Sequence, residues 1–175
     1  VQFREPPLLC RNVGQGKFAH ARGSVGAAFT RPIVGRGAGY GDYDGDGDLD
    51  VLITANHGPA HLFRNDGGNT NNWISIRTRG VTSNRNGIGA VVRVESASGT
   101  QWSDVRSGSS YCSQSDLART FGLAKDPVVS AIDIEWPSGA KDRVANVPVN
   151  QAVTIEEGKG IVSTAGSMLL RDRDP

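Results

Sequence analysis

At 175 residues the chain can form one large domain or two small ones, and its 37% apolar share supports a core when 23 glycines serve turns. A net charge of +1 gives no overall field to draw nucleic acid or an anionic membrane, and no apolar run approaches the ~18 residues that cross a bilayer. The chain does not begin with Met and its first residues do not resemble a signal peptide, so a processed or truncated product is expected and the compartment cannot be taken from a targeting segment.

The first third contains an internal echo. Leu9-Cys10-Arg11-Asn12-Val13-Gly14 matches Leu62-Phe63-Arg64-Asn65-Asp66-Gly67 at a spacing of 53 residues. In both copies an apolar strand end runs through Arg-Asn into a glycine turn. A period of that length with short strands predicts propeller-like β repeats, each burying one face on its neighbour. One full unit, about residues 18–67, is preceded by the last strand of another.

Inside that unit, Asp42-Tyr43-Asp44-Gly45-Asp46-Gly47-Asp48-Leu49-Asp50 places five carboxylates in nine residues. Such a density of like charge calls for a cation at its centre. Asp42, Asp44, Asp46 and Asp50 offer side-chain oxygens, Asp48 a backbone carbonyl, and Gly47 the sharp turn, so all five aspartates are candidate metal ligands. Hard oxygen donors on a short flexible loop suit calcium, which takes about six to eight oxygens, better than magnesium with its stricter octahedron. An EF-hand would place a bidentate Glu at the twelfth loop position, where this chain has Ile53. The flanks also exclude it. Gly35 to Gly41 is too glycine-rich for a helix, and Leu49 to Thr54 reads as a strand.

Residues 66–72, a Gly/Asn-rich run, mark the expected boundary between a first unit, 1–67, and a second, 68–160. The second unit reads as strands at Trp73–Arg79, Ala90–Glu95, Gln101–Arg106, Val128–Trp136, Val144–Val147 and Ala152–Ile155. Ile132, Ile134 and Trp136 share one face, Asp133 and Glu135 the other. Ser115–Leu123 fits period two and is taken as a strand. The fold class is therefore all-β: one propeller-like calcium-binding blade plus an antiparallel β-sandwich or barrel. Residues 161–175 read as a terminal tail, in which Met168-Leu169-Leu170 offers an edge strand.

Other chemistry-bearing residues give weaker signals. Cys10 and Cys112 leave open one long-range disulfide or two unpaired buried thiols, the commoner outcome for so few cysteines. His57 and His61 have the spacing of a helical zinc pair, but Gly58 and Pro59 between them forbid the helix. Ser107-Gly108-Ser109-Ser110 is not a nucleophile elbow, and no His and acid can be named for it. Tyr111, Gln114 and Asp116 suit either a ligand site or the satisfaction of buried backbone, the second favoured. Gly87-Ile88-Gly89 is a turn into a strand rather than a nucleotide loop. Arg77, Arg79, Arg85, Arg93 and Arg106 are scattered among acids and form no nucleic-acid stripe.

Several blocks, in order, carry a family resemblance. They are Ser83 to Ala90, Gly108 to Leu117, Phe121-Gly122-Leu123, Ile134-Glu135-Trp136-Pro137-Ser138-Gly139, and Asn150-Gln151. Residues from about 74 to 157 resemble the ASPIC/UnbV domain, and the segment before them resembles an FG-GAP/VCBS-type calcium-binding repeat. The resemblance implies a secreted or cell-surface protein in which propeller repeats carry a C-terminal β domain, as in relatives of cartilage acidic protein.

Together these readings predict a non-enzymatic, extracytoplasmic, calcium-binding module acting in adhesion, surface interaction or self-assembly. Its expected partners are further propeller repeats, a second copy, or an extracellular protein or glycan, with no nucleic acid and no membrane span. The competing expectations are a calcium-dependent enzyme of secondary metabolism using Ser109–Asp116, and a glycan-binding module using Tyr40, Tyr43, Trp73 or Trp102.

Overall fold

The computed structural model describes residues 3–166. In chain order the strands are β1 (Cys10–Gly14), β2 (Lys17–His20), β3 (Gly35–Gly41), β4 (Asp50–Ala55), β5 (His61–Phe63), β6 (Trp73–Arg79) and β7 (Val91–Ser96). They continue with β8 (Gly99–Asp104), β9 (Arg119–Gly122), β10 (Val128–Glu135), β11 (Lys141–Pro148), β12 (Gln151–Glu156) and β13 (Gly160–Gly166). Among the described residues there is no α-helix, only short 3-10 turns, as expected for an all-β chain.

Two four-stranded sheets, ordered β11-β10-β7-β8 and β13-β12-β6-β9, make the larger body. One apolar cluster draws on both: Ile74, Ile76, Phe121, Val153 and Ile155 from one sheet meet Val92, Val94, Ile132, Ile134 and Val147 from the other. Burying each such side chain contributes about 1.5–3 kcal/mol, so this shared interior holds the sheets face to face. The alternation in β10 works as expected. Ile132, Ile134 and Trp136 are buried, while Asp133 and Glu135 face outward to Arg143 and Lys141.

The structure corrects several details. Neither sheet closes into a barrel. The second sheet is not wholly antiparallel, because β12 runs parallel to β6, from Gln151 beside Ile74 to Glu156 beside Arg79. Such a pair needs a long crossover rather than a hairpin, and all of β7 to β11 lies between the two strands. Of Ser115–Leu123 only Arg119–Gly122 is strand, since residues 113–116 spend their hydrogen-bonding groups elsewhere. The sandwich also takes in the first part of the expected tail, because β13 pairs along β12 from Gly160 to Gly166. Met168-Leu169-Leu170 lies outside the described residues. Cys10 and Cys112 are free and exposed rather than bridged or buried.

The first unit is smaller. β1 and β2 form a hairpin, and β3, β4 and β5 form a three-stranded antiparallel sheet, with Ile53 buried and Leu52 and Leu62 paired and exposed. Glu5 and Ile33 exchange two backbone hydrogen bonds of 3.0 Å, and Phe29 sets its ring edge-on against Phe63.

β3 explains its own composition. A Cβ on Gly37 would lie 2.8 Å from the Tyr111 carbonyl oxygen, one on Gly39 3.0 Å from the Gln114 carbonyl oxygen, and one on Gly41 3.4 Å from Asp116 Cβ. The alternate glycines thus share one bare face, and the chain at 111–116 lies against it. Three bonds close the contact: Asp116 N–H to the Tyr40 carbonyl at 2.9 Å, Ser113 Oγ to the Ala38 carbonyl at 2.9 Å, and Tyr40 N–H to Ser115 Oγ at 3.3 Å. Gly37→Ala is expected to lower unfolding stability by about 1–3 kcal/mol, because its neighbour is backbone that cannot rotate away. Gly122→Ala, which meets nothing within 4 Å, should stay within about 0.5 kcal/mol. Urea unfolding of the pair measures the difference, and equal midpoints would mean that β3 is not tightly docked.

Candidate metal centre

The acidic loop is the connection between β3 and β4, opening at Asp42 and closing at Asp50. Asp42 acts as its internal brace: Oδ1 accepts from the N–H of Gly45 (2.8 Å) and Asp46 (3.0 Å), and Oδ2 from Gly47 (2.9 Å). Asp50 closes the other end, accepting from Tyr43 N–H at 3.0 Å and Asn65 N–H at 2.8 Å. Carboxylates that each take two or three backbone donors curl the loop inward and aim its remaining lone pairs at a common point.

Carboxylate oxygens of Asp42, Asp44 and Asp50 lie within 4.8 Å of one another. Asp44 Oδ1 is buried there with no hydrogen-bond partner. Asp46 and Asp48 are buried beside this group but are not members of it. Asp46 Oδ1 takes the N–H of Asp48 at 3.0 Å, and Asp48 Oδ2 takes those of Gly68 (2.9 Å) and Asn69 (3.3 Å), leaving its Oδ1 buried and unpartnered.

Charge in this loop is held at a cost. Burial first, then the Asp46 carboxylate, pushes the Asp48 carboxyl up to about 6 against the lowering effect of the Gly68 and Asn69 N–H groups. Burial likewise raises Asp42, opposed by its three backbone donors. The chemistry of the donors fits a hard divalent cation: three carboxylates converge, one carrying an orphaned oxygen, and among the described residues no basic side chain is ion-paired with them.

The loop is wedged between the two bodies. Gly47, at φ +96°, lies so close to the Trp73 indole that a Cβ there would fall 2.0 Å from the ring, so only glycine serves both the turn and the contact. Trp73 is in turn fixed by Asn150, whose Oδ1 accepts from Trp73 N–H and whose own N–H donates to the Trp73 carbonyl. A Cβ on Gly68 would meet Asp48 Cβ at 2.7 Å, and Asn69 Nδ2 donates to the Asp46 carbonyl. The stretch at 66–72 read as a linker therefore closes over the loop.

Other residues singled out in the sequence fall elsewhere. His57 and His61 join no metal-binding group among the described residues, and His61 stacks on Phe63. Gln114 and Asp116 serve backbone: the Gln114 amide takes Gly108 N–H and gives to the Ser115 carbonyl, and Asp116 takes Ala118 N–H at 3.1 Å. Tyr111 is exposed. No helix among the described residues is long and apolar enough to cross a membrane.

Residues 80–162 match the family ASPIC and UnbV, which takes in β7 to β12 but not β6, the strand lying between β12 and β9. Among individual proteins, the chain is similar to cartilage acidic protein 1 of Homo sapiens, 33% identical over 132 residues, which cover 69% of this chain and 19% of that protein. Cartilage acidic protein 1 of Mus musculus gives the same identity over 20% of its length, and that of Xenopus tropicalis 31% over 16% of its length. The chain spans about a fifth of the length of the curated relatives it matches.

Within the matched region sits a carboxylate that motif reading passed over. Glu157 follows β12 and is 7% exposed. Its Oε2 accepts from the N–H groups of Val81, Thr82 and Ser83 at 2.7–2.8 Å, and its Oε1 from the hydroxyls of Ser83 and Ser138. It ties together the Ser83 and Ser138 blocks, which are distant in sequence; the only local sign is a pair of acids ending an apolar strand. Burial alone would raise the carboxyl, but the Ser138 hydroxyl and the Ser83 and Val81 N–H groups outweigh it and hold it at about 2, below its ordinary 4.5. A depressed carboxyl stabilises the fold fully above its unfolded value and loses that contribution as pH falls towards the folded one. Glu157→Gln should therefore melt lower than the parent at neutral pH and decline less between pH 4.5 and 2. Parallel acid branches in thermal melts of the two proteins would disprove the role.

Proposed function

We propose that the chain is a non-enzymatic, calcium-stabilised β module that works outside the cytoplasm in surface interaction, adhesion or self-assembly. The observation that carries this reading is the convergence of Asp42, Asp44 and Asp50 around the orphaned Asp44 oxygen. In this reading residues 1–67 are an FG-GAP/VCBS-type repeat: the acidic hairpin is the metal loop of a propeller-like blade, and the ASPIC/UnbV-like sandwich is the body on which it rests. Asp42, Asp44 and Asp50 would hold the ion. Asp46 and Asp48 shape the loop and add negative potential, and the ion would supply the positive charge that lets this loop stay closed on Trp73. The name cartilage acidic protein, carried by the relatives, supports an extracellular setting.

Extracellular calcium modules bind with Kd on the order of 10⁻⁴–10⁻³ M. At tenfold that concentration, mass action adds about 1.4 kcal/mol, or about 3–6 °C in Tm for a chain of this size. Melting in calcium against chelator should show that rise. Asp44→Asn should abolish most of it, whereas Asp66→Asn, an exposed acid paired with Arg64, should keep it. An unchanged midpoint in excess calcium would remove the reading.

The assembly part rests on a separate observation. Leu52 and Leu62 stand side by side on β4 and β5, on the same face as Gly39 but beside rather than beneath the 111–116 segment, exposed at 45% and 50%, with Tyr40 and Tyr43 also exposed nearby. A one-sided apolar sheet with a repeat signature is suited to stacking on a neighbouring β repeat or a second copy. Sedimentation should show association that Leu52→Lys disperses; a monomer at high micromolar concentration would argue against self-assembly.

A further inference from the structure

A cleft of about 390 Å³ opens where β3 meets the sandwich, lined by Tyr40, Ser103, Arg106, Ser109, Ser110 and Arg119. Its lining holds two guanidinium groups and four hydroxyls but no carboxylate. Arg119, on β9, is 6% exposed. Its Nε has no hydrogen-bond partner. Its other two nitrogens reach Tyr40 Oη and the Arg106 carbonyl only at 3.4 Å, beyond the ~2.7–3.2 Å of a good bond.

No carboxylate within ion-pair distance serves it among the described residues, whereas Arg77, Arg79 and Arg106 each have one and Arg143 has two. Asp104, whose field reaches Arg119, is already held by Arg106 at the rim. A guanidinium shut away from water with an orphaned donor is costly unless a further acceptor completes it. Its forked donors match the oxygens of an oxyanion, and the serine hydroxyls supply neutral donors around it.

We propose that this cleft binds a tetrahedral oxyanion, a sulfate or phosphate monoester on a small organic body, with Arg119 as the charge at its base. The volume exceeds what a bare ion fills and falls in the ~300–1,000 Å³ range of small-molecule sites. The site uses none of the acidic-loop residues, so failure of this proposal and failure of the calcium reading are separate results.

The test is titration calorimetry at low ionic strength, in buffer free of sulfate and phosphate, with glucose 6-sulfate, glucose 6-phosphate, and inorganic sulfate and phosphate as probes. Acetate serves as the planar comparison. Saturable binding is expected, tighter for one sugar ester than for its inorganic ion, and the preferred ester separates the sulfate source from the phosphate source. Arg119→Lys, which keeps charge but loses the fork, should weaken binding at least about tenfold. Arg106→Gln, at the exposed rim, should weaken it about threefold or more through the Asp104 charge it frees. Because a buried arginine variant can fail to fold, the Nε–Hε resonance of Arg119 in the unaltered protein is followed as well. It should shift with the same midpoint as the heat. No saturable heat with any probe, equal binding of acetate, or an unmoved Arg119 resonance each overturns the site.

Discussion

Like charge forced into a loop that is pinned at both ends is the constraint from which the rest of the first unit follows. Gly47 lies hard against Trp73, and Gly68 hard against Asp48. The carboxylates therefore cannot relieve their repulsion by swinging outward without giving up the backbone bonds to Asp42, Asp48 and Asp50. Those bonds hold the hairpin in its curled shape. A cation bound among the oxygens of Asp42, Asp44 and Asp50, as proposed, would resolve the conflict where it arises.

The same economy of contacts governs β3. A strand of alternating glycines loses more conformational freedom on folding than any other, and by itself is a poor strand. Here the missing side chains are the contact. The backbone at 111–116 lies flat against Gly37, Gly39 and Gly41, and serine side chains rather than a regular ladder complete the polar groups. This accounts for the failure of residues 115–118 to extend β9: their N–H and hydroxyl groups are already committed to β3 and to Asp116. A period-two pattern reports which faces are buried, and Phe121 and Leu123 do obey it, but it cannot report where the hydrogen bonds go.

That difference marks what the chain discloses by itself. Trp73–Arg79, the 90–95 strand and the Ile132–Trp136 alternation were legible because each buries one face against the other sheet, and burial writes directly into residue type. The acidic hairpin was legible for a related reason, since only a closely spaced charge cluster needs its glycines and aspartates in that order. The parallel pairing of β12 with β6 was not legible, because strand direction leaves no mark on a strand's own alternation. Nor were Glu157 and Arg119. Each is a single charged residue whose meaning depends on groups from distant parts of the chain: the 81–83 backbone and Ser138 for one, Tyr40 and the Arg106 carbonyl for the other. The hold on the Asp48 side chain has the same origin: Gly68 and Asn69, twenty residues on, donate to its Oδ2, and no spacing rule contains that contact.

β3 carries one end of each site. Tyr40 sets its hydroxyl over Arg119 and, through its backbone, donates to Ser115 Oγ and accepts from Asp116 N–H; two residues later Asp42 begins the acidic loop. The strand has no side chains on its docked face to fix its position by packing, so its register depends on those polar bonds at the middle and on the Asp42 bonds at the end. A cation bound at Asp42 would restrain the end of the same strand whose Tyr40 hydroxyl lies over the buried guanidinium. Order in such a strand comes from its ends and its hydrogen bonds rather than from side-chain packing on its docked face.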